Sequence, residues 1–118
     1  MDSVILIDHF NGIPQATEYL GEVAGRAHIS AITYAEVLTG FREEDAPLAR
    51  ALLDTLPLLV IDRDVANLAA SLRRIHRWKL PDALQVAVAR HHGLFLATRN
   101  AKDFPPGEYE FVHVPYSV

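Results

Sequence analysis

Residues 81–98 read PDALQVAVARHHGLFLAT, and this stretch decides the fold class. Pro81 suits the first turn of a helix because it has no main-chain N–H and a fixed φ. Residues 83–89 are apolar on nearly every side, which predicts a helix buried at the centre of the protein. Gly93 ends that helix, and residues 94–97 form an apolar run typical of a buried strand. A buried helix that leads directly into a buried strand indicates an α/β protein.

The rest of the chain shows the same alternation. Apolar runs at residues 4–7 and 58–61 predict two further buried strands, and a short strand is expected around His28 and Ile29. Helices are expected at residues 14–24, 30 or 33 to 40, 47–56, and 62 or 64 to 75. The tail, residues 108–114, alternates polar and apolar side chains as an edge strand does. We therefore expect a three-layer sandwich, in which helices cover both faces of a mostly parallel central sheet.

Length and composition are those of a single domain spanning residues 1–118. Half of the residues are hydrophobic and 22% are charged, which is enough apolar surface for a compact core. The absence of cysteine excludes disulfides, thiolate zinc sites and cysteine nucleophiles, and it fits a reducing compartment. Asp8 interrupts the first apolar run, and no later run approaches the ~20 residues of a membrane span. We expect a cytoplasmic protein without a signal peptide or membrane anchor.

Polar residues follow the predicted strands at the points where the strands end. Asp8, Ser30 and Thr98 each come directly after a strand pattern. Because ligands of parallel α/β sheets bind beyond the carboxyl ends of the strands, these side chains are expected at one edge. Glu36 lies among apolar residues of its helix, and Asp82 opens a helix that is otherwise apolar. Both acids are therefore candidates for the same edge.

Each acid has an ordinary interpretation when it is taken singly. Asp8 could terminate a strand, Glu36 could face solvent, and Asp82 could interact favourably with the helix dipole. Three carboxylates at a partly buried edge would repel one another unless a cation balanced them. Oxygen ligands without a His/Cys set favour Mg²⁺ or Mn²⁺ over zinc. His9 has no partner histidine at a useful spacing, so it is not favoured as a zinc ligand or general base.

Four segments carry a resemblance to a known family. They are Ile7-Asp8-His9, ISAITYAEVLTG at residues 29–40, Leu80-Pro81-Asp82-Ala83, and LATRNAKDF at residues 96–104. In this order they resemble the PIN-domain ribonucleases, and within that family the toxins of VapBC-type toxin–antitoxin pairs. The resemblance implies a PIN-like fold, metal-dependent endoribonuclease activity, an antitoxin partner and homodimerisation through apolar helix faces.

The resemblance also implies an assignment of the site. Asp8, Glu36 and Asp82 would be catalytic carboxylates that bind Mg²⁺ or Mn²⁺. A further ligand is expected from the loop after the last buried strand. There Asn100 occupies a position that many relatives fill with Asp, and Asp103 lies three residues later. We expect Asn100 to face the metal site, Asp103 to contribute to catalysis or cap the loop, and one ion to be held tightly rather than two.

Two hydroxyls are candidates for a supporting role. Ser30 and Thr98 could orient the carboxylates or metal-bound waters. A helix cap and a strand-end hydroxyl are equally good interpretations of these residues.

Charge is distributed unevenly along the chain. The net charge is −4, which by itself argues against a nucleic-acid partner, but residues 73–102 carry +6 and the remainder −10. Trp78 in this segment could stack on an unpaired base or pack in the core. Six basic residues are candidates for an RNA phosphate track, although solvated helix faces would explain them equally well: Arg73, Arg74, Arg77, Lys79, Arg99 and Lys102.

The reaction implied by the family is attack of an activated water on phosphorus, which leaves a 5′-phosphate and a 3′-hydroxyl. A phosphotransfer enzyme is less favoured, because such sites need a second acid close to Asp8, where His9 and Phe10 stand. A catalytically impaired PIN-like module that acts through protein or RNA binding is the main alternative. A partner helix could dock on an apolar set that core packing explains as well: Ala49, Leu52, Leu53, Leu56, Leu68 and Leu72.

Overall fold

Helices account for most of the regular structure. The computed structural model describes residues 1–100, 102–104 and 109–118. In these residues the helices are α1 (Ser3–Phe10), α2 (Pro14–Val23), α3 (Ala31–Thr39), α4 (Ala46–Leu53), α5 (Arg63–His76) and α6 (Leu80–His91). The strands are β1 (Ile29–Ser30), β2 (Leu58–Leu59), β3 (Leu96–Ala97) and β4 (Val112–His113). None of the described helices is both long and apolar enough to span a bilayer.

Local signals at the helix ends work as the sequence predicts. The Ser30 hydroxyl accepts a hydrogen bond from the Thr33 N–H at 3.2 Å, so Ser30 is the cap of α3. Asp62 caps α5 in the same way, through a 2.9 Å bond from the Val65 N–H. Gly93 has φ +66°, a left-handed conformation that glycine adopts without strain, and it follows the end of α6.

The predicted strand at residues 4–7 is wrong, because this run is part of helix α1. A short apolar run fits a buried strand or a buried helix equally well, and only its surroundings decide between them. Here Ile5 and Leu6 are fully buried while Ile7 is 36% exposed, a pattern in which one helical face meets the core. Asp2, rather than Asp8, is the extended residue at the boundary of this element.

Other boundaries differ from the prediction as well. Strands β2 and β3 comprise only two residues each of the expected buried strands at residues 58–61 and 94–97, and Leu58 and Val60 are exposed rather than buried. Helix α4 ends at Leu53 instead of residue 56, and the chain continues through a turn to β2. In the tail, β4 comprises Val112–His113 only, and residue 108 of the predicted edge strand lies outside the described residues.

The described strands form two separate parallel pairs. Strand β1 pairs with β2, with Ile29 opposite Leu58. Strand β3 pairs with β4, with Leu96 opposite Val112. The α/β class is therefore confirmed, but the described residues do not form one central sheet. The three-layer arrangement stays a prediction.

The first two residues of the chain lie between the two pairs. The Met1 amino group donates to the His28 carbonyl at 2.9 Å, and the Asp2 N–H donates to the Ala97 carbonyl at 2.8 Å. Burial lowers the pKa of the amino group to about 6. Asp2 is thus held at the end of both strand pairs, directly before α1.

Two apolar clusters surround this junction. The larger one joins α5, α6 and β3 with Trp78 and Phe104, and the smaller one joins α1, β1, α3 and α4. Gln85 of α6 is buried, accepts a 2.8 Å bond from the Ser30 hydroxyl and donates to the Thr33 hydroxyl at 2.5 Å. This buried polar contact fixes the start of α3 against α6, the two helices that carry Glu36 and Asp82.

Candidate active site

A cavity of about 480 Å³ brings together residues from four parts of the chain. Its acids are Asp2 before α1, Glu36 in the middle of α3, and Asp82 in the first turn of α6. The other lining residues are Ser3, Val4, Arg99, Asn100 and Lys102. Two helix starts, the middle of α3 and a strand-end loop therefore place three carboxylates, one amide and two cations around one space.

Asp2 is held firmly on its side of the cavity. It is only 8% exposed, and the Thr98 hydroxyl donates to its Oδ2 at 2.6 Å. The Ser3 hydroxyl lies 3.1 Å from Glu36 Oε1 and 3.4 Å from Asp2 Oδ1, so its single hydrogen serves one acid or the other. Thr98 thus contacts Asp2, and its role in orienting a metal-binding carboxylate stays a prediction.

Two carboxylates of the cavity, Glu36 and Asp82, have a raised pKa. Burial, followed by the charges of Asp2, Asp103 and Glu36, raises the pKa of Asp82 to about 6. Burial also raises the pKa of Glu36, as does the charge of Asp2, although the hydrogen bond from Ser3 opposes this. The acids thus lie in a site with more negative charge than the nearby cations balance.

This donor set fits a hard divalent cation. Carboxylate and amide oxygens are the ligands that Mg²⁺ and Mn²⁺ prefer, and the repulsion among the acids is what a bound cation would relieve. Among the described residues, no group of three or more His, Asp or Glu side chains is already drawn together around one point. The three carboxylates line a space wider than one ion, so they would have to move inward to share it.

Asp8 lies elsewhere, in an ion pair. Arg99 donates to it through two nitrogens, Nε to Oδ2 at 2.5 Å and Nη2 to Oδ1 at 2.9 Å. The Tyr116 hydroxyl donates to Oδ2 at 2.8 Å. Burial favours the neutral acid, but these hydrogen bonds and the Arg99 charge outweigh it and lower the pKa of Asp8. The chain's own groups therefore already neutralise Asp8.

The loop after β3 carries the two candidates for a further ligand. Asn100 lines the cavity and donates from Nδ2 to Asp103 Oδ2 at 2.9 Å. Its Oδ1 accepts from the Asp103 N–H at 3.3 Å, so the two side chains brace the loop. Asp103 does not line the cavity, although its charge contributes to the raised pKa of Asp82. Ala101 lies outside the described residues.

Three further side chains considered from the sequence have partners away from the cavity. Ser30 caps α3 and bonds to Gln85, so the helix-cap interpretation applies to it. His9 is paired with the Thr17 hydroxyl at 2.8 Å. Trp78 is 7% exposed and stacks on His76 with ring centroids 4.1 Å apart. Trp78 is thus a packing residue, and a base-stacking role would need it to leave the core.

The six basic candidates divide into two groups. Arg99 and Lys102 line the cavity with the carboxylates. Arg73 donates to the Trp78 carbonyl at 2.8 Å and so closes the turn after α5. Arg74, Arg77 and Lys79 are exposed and do not line the cavity. A phosphate track over this segment stays a prediction.

Sequence reasoning missed Asp2, which lies with Glu36 and Asp82 where Asp8 was expected. One signal could have found it. If the run at residues 4–7 is helical, the acid at the sheet edge is the one that precedes the run, not the one that follows it. Asp2 and Asp8 stand at opposite ends of α1, about 9 Å apart at the helical rise per residue.

Comparisons with known proteins agree with this architecture. Residues 1–105 match the PIN domain family. A solved structure described as a toxin–antitoxin complex from Klebsiella pneumoniae contains a chain that is 36% identical, with a TM-score of 0.91. The match covers 99% of this chain and 97% of that one. A search of curated proteins finds no match. Since PIN domains are generally nucleases, a hydrolase acting on nucleic acids is supported. The chain belongs to the PIN domain family.

Proposed function

We propose that this protein is an Mg²⁺- or Mn²⁺-dependent endoribonuclease, the VapC-type toxin of a toxin–antitoxin pair. The observation that carries the proposal is the convergence of Asp2, Glu36 and Asp82 on one cavity that Arg99 and Lys102 also line. Carboxylates that repel one another beside cationic side chains fit a site that binds a metal ion and a phosphate together. Membership of the PIN domain family supports the same class of chemistry.

The residues that would hold the cation are Asp2, Glu36 and Asp82, with the Asn100 amide as a weaker donor. Asp2 takes the place that the sequence assigned to Asp8. When bound, such a cation neutralises the acids, polarises a phosphate oxygen and lowers the pKa of a bound water. Thr98 fixes the orientation of the Asp2 carboxylate through its 2.6 Å hydrogen bond. One ion is favoured, because Asp103 does not line the cavity.

The other groups of the cavity suit a phosphodiester. Lys102 and the face of Arg99 that Asp8 does not occupy offer N–H donors to phosphate oxygens. The Asn100–Asp103 contacts hold the loop that carries Lys102. RNA is the proposed substrate, cut to leave a 5′-phosphate and a 3′-hydroxyl.

Partners and organisation complete the proposal. The related Klebsiella chain comes from a toxin–antitoxin complex, which supports a cognate antitoxin for this chain as well. A homodimer, one domain over residues 1–118 and a cytoplasmic location are further parts of the proposal.

The test is RNA cleavage by the purified chain with Mg²⁺ or Mn²⁺, and again after EDTA. Asp2→Asn and Asp82→Asn should each reduce cleavage by about 100-fold or more, since loss of a ligand carboxylate costs several kcal/mol of transition-state stabilisation. Asp45→Asn is the matched control, because Asp45 is exposed and its side chain caps nothing. Undiminished cleavage in both site variants, or activity that resists EDTA, would refute the proposal.

A binding module without catalysis is the second candidate. It is favoured by the lack of any described group of three acids already drawn around one point. Titration with Mn²⁺ by calorimetry separates the two candidates. If the site is catalytic, the wild-type chain binds Mn²⁺ and the Asp82→Asn variant does not. If the chain is a binding module, the titration shows no heat of specific Mn²⁺ binding.

A further inference from the structure

Gln85 is the polar exception in an apolar stretch of helix α6. Residues 83–89 are otherwise Ala, Leu and Val, yet Gln85 is only 4% exposed. A buried amide loses its hydrogen bonds to water, and a leucine or methionine at this position would avoid that cost. The partners of the Gln85 amide therefore indicate what this side chain contributes.

Both polar atoms of the Gln85 amide bond to residues at the start of α3. Oε1 accepts from the Ser30 hydroxyl at 2.8 Å, and Nε2 donates to the Thr33 hydroxyl at 2.5 Å. Ser30 and Thr33 are buried as well, and the three residues are here called the buried network. Among the described residues no buried side-chain polar atom lacks a partner, so the network is fully satisfied.

Thr33 extends the network to the segment that holds Asp2. Its hydroxyl accepts from Gln85 and donates to the Met1 carbonyl at 2.9 Å. Met1 directly precedes Asp2, one of the three acids of the candidate site. One hydroxyl group thus links α3, α6 and the residues before α1, and each of these three parts of the chain carries one acid of the cavity.

The network lies about one helical turn from the acids on both helices. On α3, Thr33 precedes Glu36 by three residues, and on α6, Gln85 follows Asp82 by three. Residues three apart share a helix face and are separated by about 4.5 Å along the axis. From the Thr33–Gln85 bond, one turn forward along α3 and one turn back along α6 therefore lead to the two acids, which both line the cavity.

We propose that Gln85 is a positioning residue of the metal site, whose bond to Thr33 fixes the distance between Glu36 and Asp82. This role depends on the proposed function, because it requires that the two carboxylates share a cation. Mg²⁺ holds its oxygen ligands near about 2.1 Å, so carboxylates on separate helices need a support that keeps them in place to within about 0.5 Å. Gln85 does not contact the ion and acts through the two helices.

A purely structural role for Gln85 makes a different prediction. In that case its bonds would raise the melting temperature and do nothing else. Well below the melting temperature nearly every molecule is folded, so the loss of a purely structural contact leaves the Mn²⁺ affinity unchanged. The loss of a contact that positions the ligands lowers the affinity under the same conditions.

The first test is Gln85→Met, which keeps the length of the side chain and removes both amide bonds. Mn²⁺ affinity, measured by calorimetry well below the melting temperature, should fall by about tenfold or more. Val86→Ala is the matched control, because Val86 is the next residue of α6, is fully buried and does not line the cavity. Each variant should lower the melting temperature by roughly 5 °C, but Val86→Ala should change Mn²⁺ affinity by less than about twofold.

Thr33 offers a second pair of variants. Thr33→Val keeps the shape of the side chain without its hydroxyl, and Thr33→Ser keeps the hydroxyl. Thr33→Val should lower Mn²⁺ affinity about as much as Gln85→Met, whereas Thr33→Ser should retain it to within about threefold. The Gln85→Met, Thr33→Val double variant should lose much less than the product of the two single losses, since both changes remove the same bond.

The outcomes separate this role from the proposed function. If the wild-type chain binds no Mn²⁺, the proposed function fails and the role of Gln85 fails with it. If the wild-type chain binds Mn²⁺ and both Gln85→Met and Thr33→Val bind it equally well, only the role of Gln85 is overturned. It is also overturned if Val86→Ala loses as much affinity as Gln85→Met, because general destabilisation then explains both. If Gln85→Met does not fold, the difference between Thr33→Val and Thr33→Ser decides.

Discussion

Acids lie at both ends of helix α1, a single one at the C-terminal end and a group of three at the N-terminal end, and their electrostatic surroundings are opposite. At the C-terminal end, Arg99 and Tyr116 surround Asp8, and its pKa is lowered. At the N-terminal end, Asp2 lies at a cavity with Glu36 and Asp82, and the pKa of both of these partners is raised. Burial is comparable for the two aspartates, at 5% and 8% exposure.

The difference separates an acid whose charge the fold balances from acids whose charges are not balanced in this way. A carboxylate paired with a bidentate arginine has its charge balanced and its oxygens occupied, so it has little to offer a cation. Glu36 and Asp82 have no such partner, and burial together with neighbouring carboxylates raises their pKa, which makes the cavity a candidate functional site. Burial alone would not have distinguished Asp2 from Asp8.

The largest expected effect is the difference between an Asp-to-Asn substitution at the N-terminal end of α1 and the same substitution near its C-terminal end. Asp2→Asn should lower Mn²⁺ affinity and RNA cleavage by about 100-fold or more, because it removes a ligand carboxylate. Asp8→Asn should change both by less than about fivefold, since Asp8 is engaged by Arg99. Calorimetry and a cleavage assay measure the two effects. A larger loss in Asp8→Asn than in Asp2→Asn would instead support Asp8 as the metal ligand, as the sequence predicts.

The free energy of unfolding should depend more on Asp8 than on Asp2, the opposite of the order expected for Mn²⁺ affinity and cleavage. Asp8→Ala should lower the free energy of unfolding by about 1–3 kcal/mol, because it leaves Arg99 and Tyr116 without their acceptor. The cost stays below that of a fully buried pair, since the Arg99 side chain is 31% exposed and can turn to water. Urea denaturation measures it, with Asp45→Ala as the exposed control. A loss no larger than the control's would mean that the ion pair does not stabilise the fold.

The pH dependence of stability should carry the sign of a lowered pKa. In the unfolded chain Asp8 titrates near its ordinary pKa of about 3.9. In the folded chain its pKa is lower, so its stabilisation is complete above the unfolded value and is lost as pH falls through the folded value. The difference in unfolding free energy between wild type and Asp8→Asn should therefore be constant near neutral pH and shrink below about pH 4. A difference that grows on acidification contradicts this sign.

The smallest effect is expected at the C-terminal segment. Tyr116→Phe removes one hydrogen bond to Asp8 and leaves the arginine in place, so it should cost about 0.5–1.5 kcal/mol. The Asp8→Asn, Tyr116→Phe double variant should lose less than the sum of the single losses, because both changes act on one contact. Strict additivity would show that Tyr116 stabilises the fold through some other contact.

The sequence by itself determined the features that depend on neighbouring residues. Pro81, Gly93 and the Asp62 cap mark helix ends through local geometry, and each lies where its chemistry predicts. Glu36 and Asp82 were identified because an acid among apolar helix residues is unusual, and both line the candidate site. The four segments that resemble the PIN-domain family could be recognised for the same reason, because each is short and contiguous in the sequence.

Only the tertiary structure determined the features that depend on residues far apart in the sequence. The run at residues 4–7 could be a strand or a helix, and packing against β1, α3 and α4 made it a helix. That choice placed Asp2, and not Asp8, at the cavity with Glu36 and Asp82. The partner of Asp2, Thr98, lies 96 positions away along the chain. Arg99, which neutralises Asp8, is 91 positions from it. Contacts between residues so far apart leave no periodic pattern or fixed spacing in the sequence, because they form only when the chain folds.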